Sequence, residues 1–135
     1  MVALGDVGFD GADRVNGENM FKATLCAACH SYGGQGGAAG PDLSSLGGRF
    51  TVKSLAVALI EPSQEVSDQY AFDVLIKKDG GQVVGRIKEE KDDRWIVAVN
   101  PFDFDQTVEV ERGDVVKTEA SPVSPMPGGL INQLN

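Results

Sequence analysis

Cys26-Ala27-Ala28-Cys29-His30 is the stretch whose reading decides the rest of this chain. Its two cysteines and its histidine are the only Cys and His among 135 residues, and they fall in one window of five. Two thiols at i and i+3 lie on one face of a helical turn. Both can therefore add to the two vinyl groups on one porphyrin edge, while the next residue aims an imidazole at the iron. On this reading Cys26 and Cys29 form thioethers to a c-type haem and His30 is the proximal ligand. Three other readings stand beside it. A redox dithiol does not need the following His, and no apolar strand of the kind such a motif follows precedes it. A structural zinc site wants four ligands, and three are offered unless a carboxylate completes it. The third is a plain disulfide, or two buried thiols beside a surface His.

The chain is one domain's worth at 14.3 kDa, with 41% hydrophobic residues, enough to bury a core and wrap a cofactor. The net charge of −8 and pI near 4.5 argue against nucleic acid and anionic membranes. They are compatible with steering toward a basic partner, and equally with simple solubility. No apolar run exceeds Leu55 to Ile60, so no membrane span is expected. The start, Met1 to Asp6, has neither a basic region nor an apolar core of a signal peptide. Thioether attachment of haem normally takes place outside the cytoplasm, so the expected localisation is periplasmic or otherwise exported, with this chain a mature or excised fragment.

Residues 1–14 read as a loose lead-in. From Val15 or Asn16, Met20, Phe21, Leu25 and Ala28 form a helical stripe that is expected to carry one helix into the CAACH turn. Gly17, four residues before Phe21, is expected to let a neighbouring helix cross closely. Glycines crowd Ser31 to Gly48, which reads as a flexible loop or as backbone forced against something flat. In Gly40-Pro41-Asp42-Leu43 the Pro41 carbonyl is able to accept from His30 Nδ1, the bond that orients a ligating imidazole. Leu43 and Leu46 are candidate apolar walls and Arg49 a candidate partner for a haem propionate, against ordinary core and solvated roles. Thr51 caps a helix through Leu55 and Ile60 that stops at Pro62.

Beyond Ser63 the period turns to alternation. Tyr70, Phe72, Val74 and Ile76 fall on one face of a strand, with Asp73 and Lys77 on the other. Asp79-Gly80-Gly81 is a hairpin signal, and further strands over Gln82–Lys88, Arg94–Val99 and Phe104–Val110 complete an antiparallel meander of about four strands. Trp95, Phe102 and Phe104 read as sheet core. Three prolines then stiffen Ser121 to Leu130 around Met126. A thioether is a soft ligand suited to haem iron. Met1 is terminal and Met20 precedes Cys26 by six residues on the proximal helix, which leaves Met126 as the candidate sixth ligand. The alternative is Met126 as plain packing beside an open or water-bound iron.

Taken together, CAACH, the glycine-rich run to GPDL, the helix to Glu61-Pro62-Ser63, Tyr70, the DGG turn and Ser124-Pro125-Met126-Pro127-Gly128-Gly129-Leu130 resemble a cytochrome c family of planctomycetes and verrucomicrobia. The resemblance covers residues 15–135. It implies an α+β fold: a class I cytochrome c-like helical haem domain over 15–135, with the β insert at about 70–112. It also implies one haem c held by Cys26 and Cys29, with Pro41 behind the His30 imidazole and Met126 as sixth ligand. Such domains usually sit at the C-terminus of large exported proteins, often behind a β-propeller dehydrogenase-like region. Members normally continue into a final helix that crosses the first near Gly17–Phe21; here Asn135 would be its N-cap. The expected consequences are a more exposed first helix, reduced stability or dimerisation.

The function expected is electron transfer rather than enzymatic catalysis, with a dehydrogenase, another cytochrome or an oxidase as redox partner. Two alternatives remain at this stage: a sensor in which a small gas displaces Met126, and a meander that serves as a docking platform through exposed residues such as Lys77, Lys88 and Arg94.

Overall fold

A computed structural model describes residues 10–134. The chain divides into two compact units, one formed by the residues up to Glu65 together with those from Pro127 onward, the other by Val66–Met126.

In the first unit, α1 (Arg14–Ala23) starts where the Asp13 side chain accepts from the Asn16 N–H, a cap that satisfies one of the first-turn donors. Glu18 and Lys22 pair at 2.7 Å one turn apart, and the Lys22 ammonium holds the Glu18 carboxyl below its usual range. The expected continuous helix into the motif does not form. Leu25 takes φ 65°, the one non-glycine residue with positive φ among those described, and α2 (Cys26–Cys29) begins after it as a separate turn. A left-handed residue cannot continue a right-handed helix, so the chain changes direction at the motif's doorstep. Space around Gly17 is open, with nothing within 4 Å of a built Cβ, so among the described residues no helix crosses there. Of the lead-in over 1–14, residues 1–9 lie outside the described residues, as does Asn135, while Arg14 belongs to α1. All of α1 is exposed except Phe21, which is half-buried.

After His30 a tight hairpin pairs β1 (Ser31–Tyr32) with β2 (Gln35–Gly36) across Gly33-Gly34, both left-handed. A 3-10 turn, Leu46–Gly48, leads to α3 (Val52–Ile60), capped as expected by Thr51, whose hydroxyl accepts from the Ser54 N–H at 3.1 Å. The helix ends at Ile60, two residues before Pro62, which cannot continue it. The last 3-10 turn, Leu130–Gln133, packs back on α3.

The second unit holds five strands rather than four: β3 (Asp73–Lys77), β4 (Gln82–Glu90), β5 (Arg94–Asn100), β6 (Asp103–Glu111) and β7 (Val115–Ala120), all antiparallel in the order β6-β5-β4-β3-β7. The fifth strand escaped the sequence pattern because Lys117-Thr118-Glu119 reads as polar surface. Its partner is the first strand, so it closes the meander from the other side. Only the 3-10 turn Arg112–Asp114 joins the two edge strands, and so short a link requires the sheet to curl. The curl brings Leu75, Val97 and Val110 into one buried cluster, with Val83, Ile87, Trp95, Val99 and Val115 packed on it. β-Bulges between Ile87 and Glu89 and between Ile76 and Lys77 supply bend and twist.

The face carrying Asp73, Leu75 and Lys77 is the one that meets this core, and Leu75 is fully buried. The opposite face is also covered near its start, where Phe72 and Val74 are buried and Phe72 packs on Phe104 at 6.3 Å between ring centroids. Arg86 lies over both Tyr70 and Phe104 and donates to the Gln69 carbonyl. Trp95 and Phe104 thus join the sheet packing, whereas Phe102 is 41% exposed in the β5–β6 turn and is not core. In both units taken together the fold is α+β.

Candidate functional site

The αL residue Leu25 lets one short turn stand free of α1. Within that turn Cys26 and Cys29 lie at i and i+3, and His30 closes it by donating its backbone N–H to the Cys26 carbonyl at 2.9 Å. Both cysteines are half-buried and neither is in a disulfide. Burial pushes the Cys29 thiol above its ordinary value and the nearby Cys26 adds to the push.

Thr24, which the sequence reading did not single out, is buried just ahead of the motif. Its hydroxyl donates to the Met20 carbonyl at 2.7 Å and lies 3.2 Å from Cys26 Sγ. A hydroxyl has one proton, here given to the backbone, so the Cys26 S–H is the donor of the second bond. Thr24 therefore fixes the rotamer of the first thiol.

His30 Nδ1 is 2.8 Å from the Pro41 carbonyl oxygen. A carbonyl only accepts, so Nδ1 carries the ring proton and Nε2 carries the lone pair, the tautomer a metal-ligating imidazole needs. The loop that delivers Pro41 is laced to α2 by Gly37 N–H to Ala27 O at 2.9 Å and Gly40 N–H to Cys29 O at 2.7 Å. Two glycines make this approach sterically feasible. A Cβ on Gly37 would stand 2.1 Å from the Ala28 carbonyl oxygen, and one on Gly40 would stand 2.7 Å from His30 Cε1 and 2.8 Å from Nδ1. Backbone here does lie against something flat, and that surface is the imidazole itself. The sequence signal for Gly40 is a small residue directly before the proline, where the chain must pass the ring.

Leu43 is tied to the same loop, its N–H donating to the Ser31 carbonyl at 2.8 Å, and is half-buried, as is Leu46. Ser44's N–H and hydroxyl bond the Asp42 carboxylate and hold its pKa down. Arg49 is exposed and lies over the Phe50 ring at 5.8 Å. Cys26, Cys29, His30 and Pro41 are thus gathered within the first unit. Met126 is the last residue of the second, half-buried, its N–H donated to Ser124 Oγ at 3.1 Å.

Two reduced thiols one turn apart, followed by an imidazole with Nδ1 occupied and Nε2 in its ligating form, are a donor set that fits a covalently held haem. A zinc centre fits less well, since among the described residues no three His, Cys, Asp or Glu side chains are grouped to hold a metal ion. The model of the family described as Cytochrome c matches residues 15–93, which is 79 of the 135 residues.

The chain belongs to the cytochrome c family.

Membership brings with it covalently bound c-type haem, a role as electron carrier and a redox partner. Cytochrome c domains are typically exported or periplasmic. The cytochrome c match spans the motif, the imidazole-bracing loop, α3 and the first two strands of the sheet, and ends before Met126. No curated protein matches the chain significantly. No helix among the described residues is long and apolar enough to cross a membrane.

Proposed function

We propose that this cytochrome c carries single electrons on one haem, held by thioethers at Cys26 and Cys29 and ligated by His30 Nε2 and the Met126 thioether. The observation that carries the reading is the bond from His30 Nδ1 to the Pro41 carbonyl. A backbone carbonyl that fixes the ring tautomer raises the basicity of Nε2 and holds its orientation through a change of iron charge. When bound, haem c supplies a one-electron iron couple, and His/Met ligation sets its potential high for the type. The chain's residues do the rest. Thr24 and Leu25 present the first thiol, Gly37 and Gly40 admit the bracing loop, and the prolines around Met126 limit the freedom of its side chain. Leu43 and Leu46 serve as apolar wall and Arg49 as a propionate partner.

This reading describes a class I haem domain of the planctomycete type, exported, that passes electrons between a dehydrogenase-like donor and another cytochrome or an oxidase. It is no enzyme: with His30 and Met126 both holding the iron, no place would be left there for a substrate. Mass spectrometry of the denatured holoprotein tests it. The mass of one haem should stay on the chain, and Cys26→Ala/Cys29→Ala should abolish retention. A wild-type chain that releases its haem on denaturation would refute the proposal.

A further inference from the structure

β7 ends the sheet, and its side chains from Val116 to Ala120 are all exposed. The Ser121 N–H donates to the Phe72 carbonyl at 2.7 Å, in register with the β3–β7 pairing. In an antiparallel ladder, bonded and non-bonded pairs alternate. Counting back from Ser121, Glu119 and Lys117 turn their backbone groups toward β3. Thr118 and Ala120 turn theirs outward, where no neighbouring strand takes them among the described residues. An exposed row of this kind is a template for another strand.

We propose that β7 pairs antiparallel with β7 of a second copy, about a two-fold axis at Thr118. The side chains choose both partner and register. With Thr118 opposite its own copy, Lys117 of each chain stands opposite Glu119 of the other, in the non-bonded pairs where side chains come closest. Val116 meets Ala120 in the same register, and the central pair is Thr with Thr, a favourable cross-strand combination. Within one chain Lys117 and Glu119 already lie together at 2.6 Å on one face. Two copies therefore build an alternating quartet from charges that are paired before association.

Shifting the register is penalised in both directions. Since only the outward residues can bond, the neighbouring registers slide one copy by two residues. One of them sets Glu119 against Glu119, the other Lys117 against Lys117, and like charges directly opposite destabilise a sheet. A lone lysine on an edge usually deters pairing. Here the acid two residues later turns that deterrent into selection for one closed, isologous arrangement. A single pair of short strands buries much less than the roughly 1,200 Å² of a stable complex, so the association is weak and reversible.

The holoprotein tests this by sedimentation velocity from about 10 μM to 1 mM, a range in which weak pairs form. The weight-average mass should climb from that of a 14.3 kDa chain with its haem toward twice that value. Lys117→Glu and Glu119→Lys should each weaken association about tenfold, by placing like charges opposite one another twice. The double exchange Lys117→Glu/Glu119→Lys should restore it, which also shows that the single variants fold. A monomer across the whole range would overturn the proposal. So would association that ignores the single reversals, or that the double exchange fails to recover.

Discussion

The imidazole of His30 and the carbonyl of Pro41, eleven residues apart in sequence, meet at 2.8 Å, and Gly40 lies flat against the ring between them. The bond and the glycine act on the same side chain, one orienting it and the other giving it room. Gly40→Ala should therefore displace the ring, lower stability by about 1–3 kcal/mol as overpacking does, and reduce the yield of covalently attached haem. Gly47→Ala is the control: nothing lies within 4 Å of a Cβ there, so its melting temperature should stay near wild type. Equal behaviour of the two variants would remove Gly40 from the account.

Thr24 holds the first thiol. Thr24→Val keeps the shape, removes the hydroxyl and leaves the Cys26 S–H without its acceptor, at a cost of about 1–2 kcal/mol. In the reduced chain before haem attachment, iodoacetamide should then label Cys26 faster than in wild type. Thr24→Ser should return the rate to normal. If Thr24→Val labels at the wild-type rate, the bond does not restrain the thiol.

Asp73 lies at the start of β3 with its carboxyl above the ordinary range, because burial penalises the charged form more than Arg86 favours it, with Glu90 adding to the rise. A carboxyl whose pKa is raised on folding holds its proton more tightly in the folded state. Its contribution is most favourable below the ordinary value of 3.8 and is lost as pH rises through the folded value. Asp73→Asn should thus stabilise the protein at neutral pH, with a margin that vanishes below that ordinary value. Thermal melts from acid to neutral pH check this; a variant less stable than wild type at pH 7 would contradict it.

Leu75 is fully buried at the meeting of the curled sheet. Leu75→Ala should cost about 2–5 kcal/mol. Urea unfolding followed by Trp95, the only tryptophan and a residue packed on the same cluster, reads it directly. A loss below about 1 kcal/mol would mean that the cluster does not hold the unit together.

What could be read in the sequence tracks how local each cause is. The turn at CAACH, the Thr51 cap, the stop before Pro62 and the DGG turn are written within a few residues, and each forms at its place in the chain. So does the Pro41 acceptor, because a proline carbonyl after a glycine-rich run has few other duties nearby. The break at Leu25 was hidden, since the apolar spacing continues through it and nothing in a leucine announces positive φ. β7 was hidden for the opposite reason: an edge strand exposed along its length has no apolar alternation to show. Which side of β3 turns inward is not legible in its alternation, because both faces of that strand are covered, one by the curl of its own sheet. Gly17 promised a crossing helix from its size alone, and size says only that an approach is allowed.

The central claim is that His30 and Met126 together complete the iron's coordination. The visible spectrum of the oxidised and reduced protein, recorded for wild type and Met126→Ala, tests it most directly. Low-spin spectra are predicted in both oxidation states, with the weak far-red band of a thioether-ligated ferric haem in wild type and its loss in the variant. Reduced wild type should bind carbon monoxide slowly and the variant rapidly. A high-spin ferric spectrum in wild type, or a far-red band that survives Met126→Ala, would contradict the account.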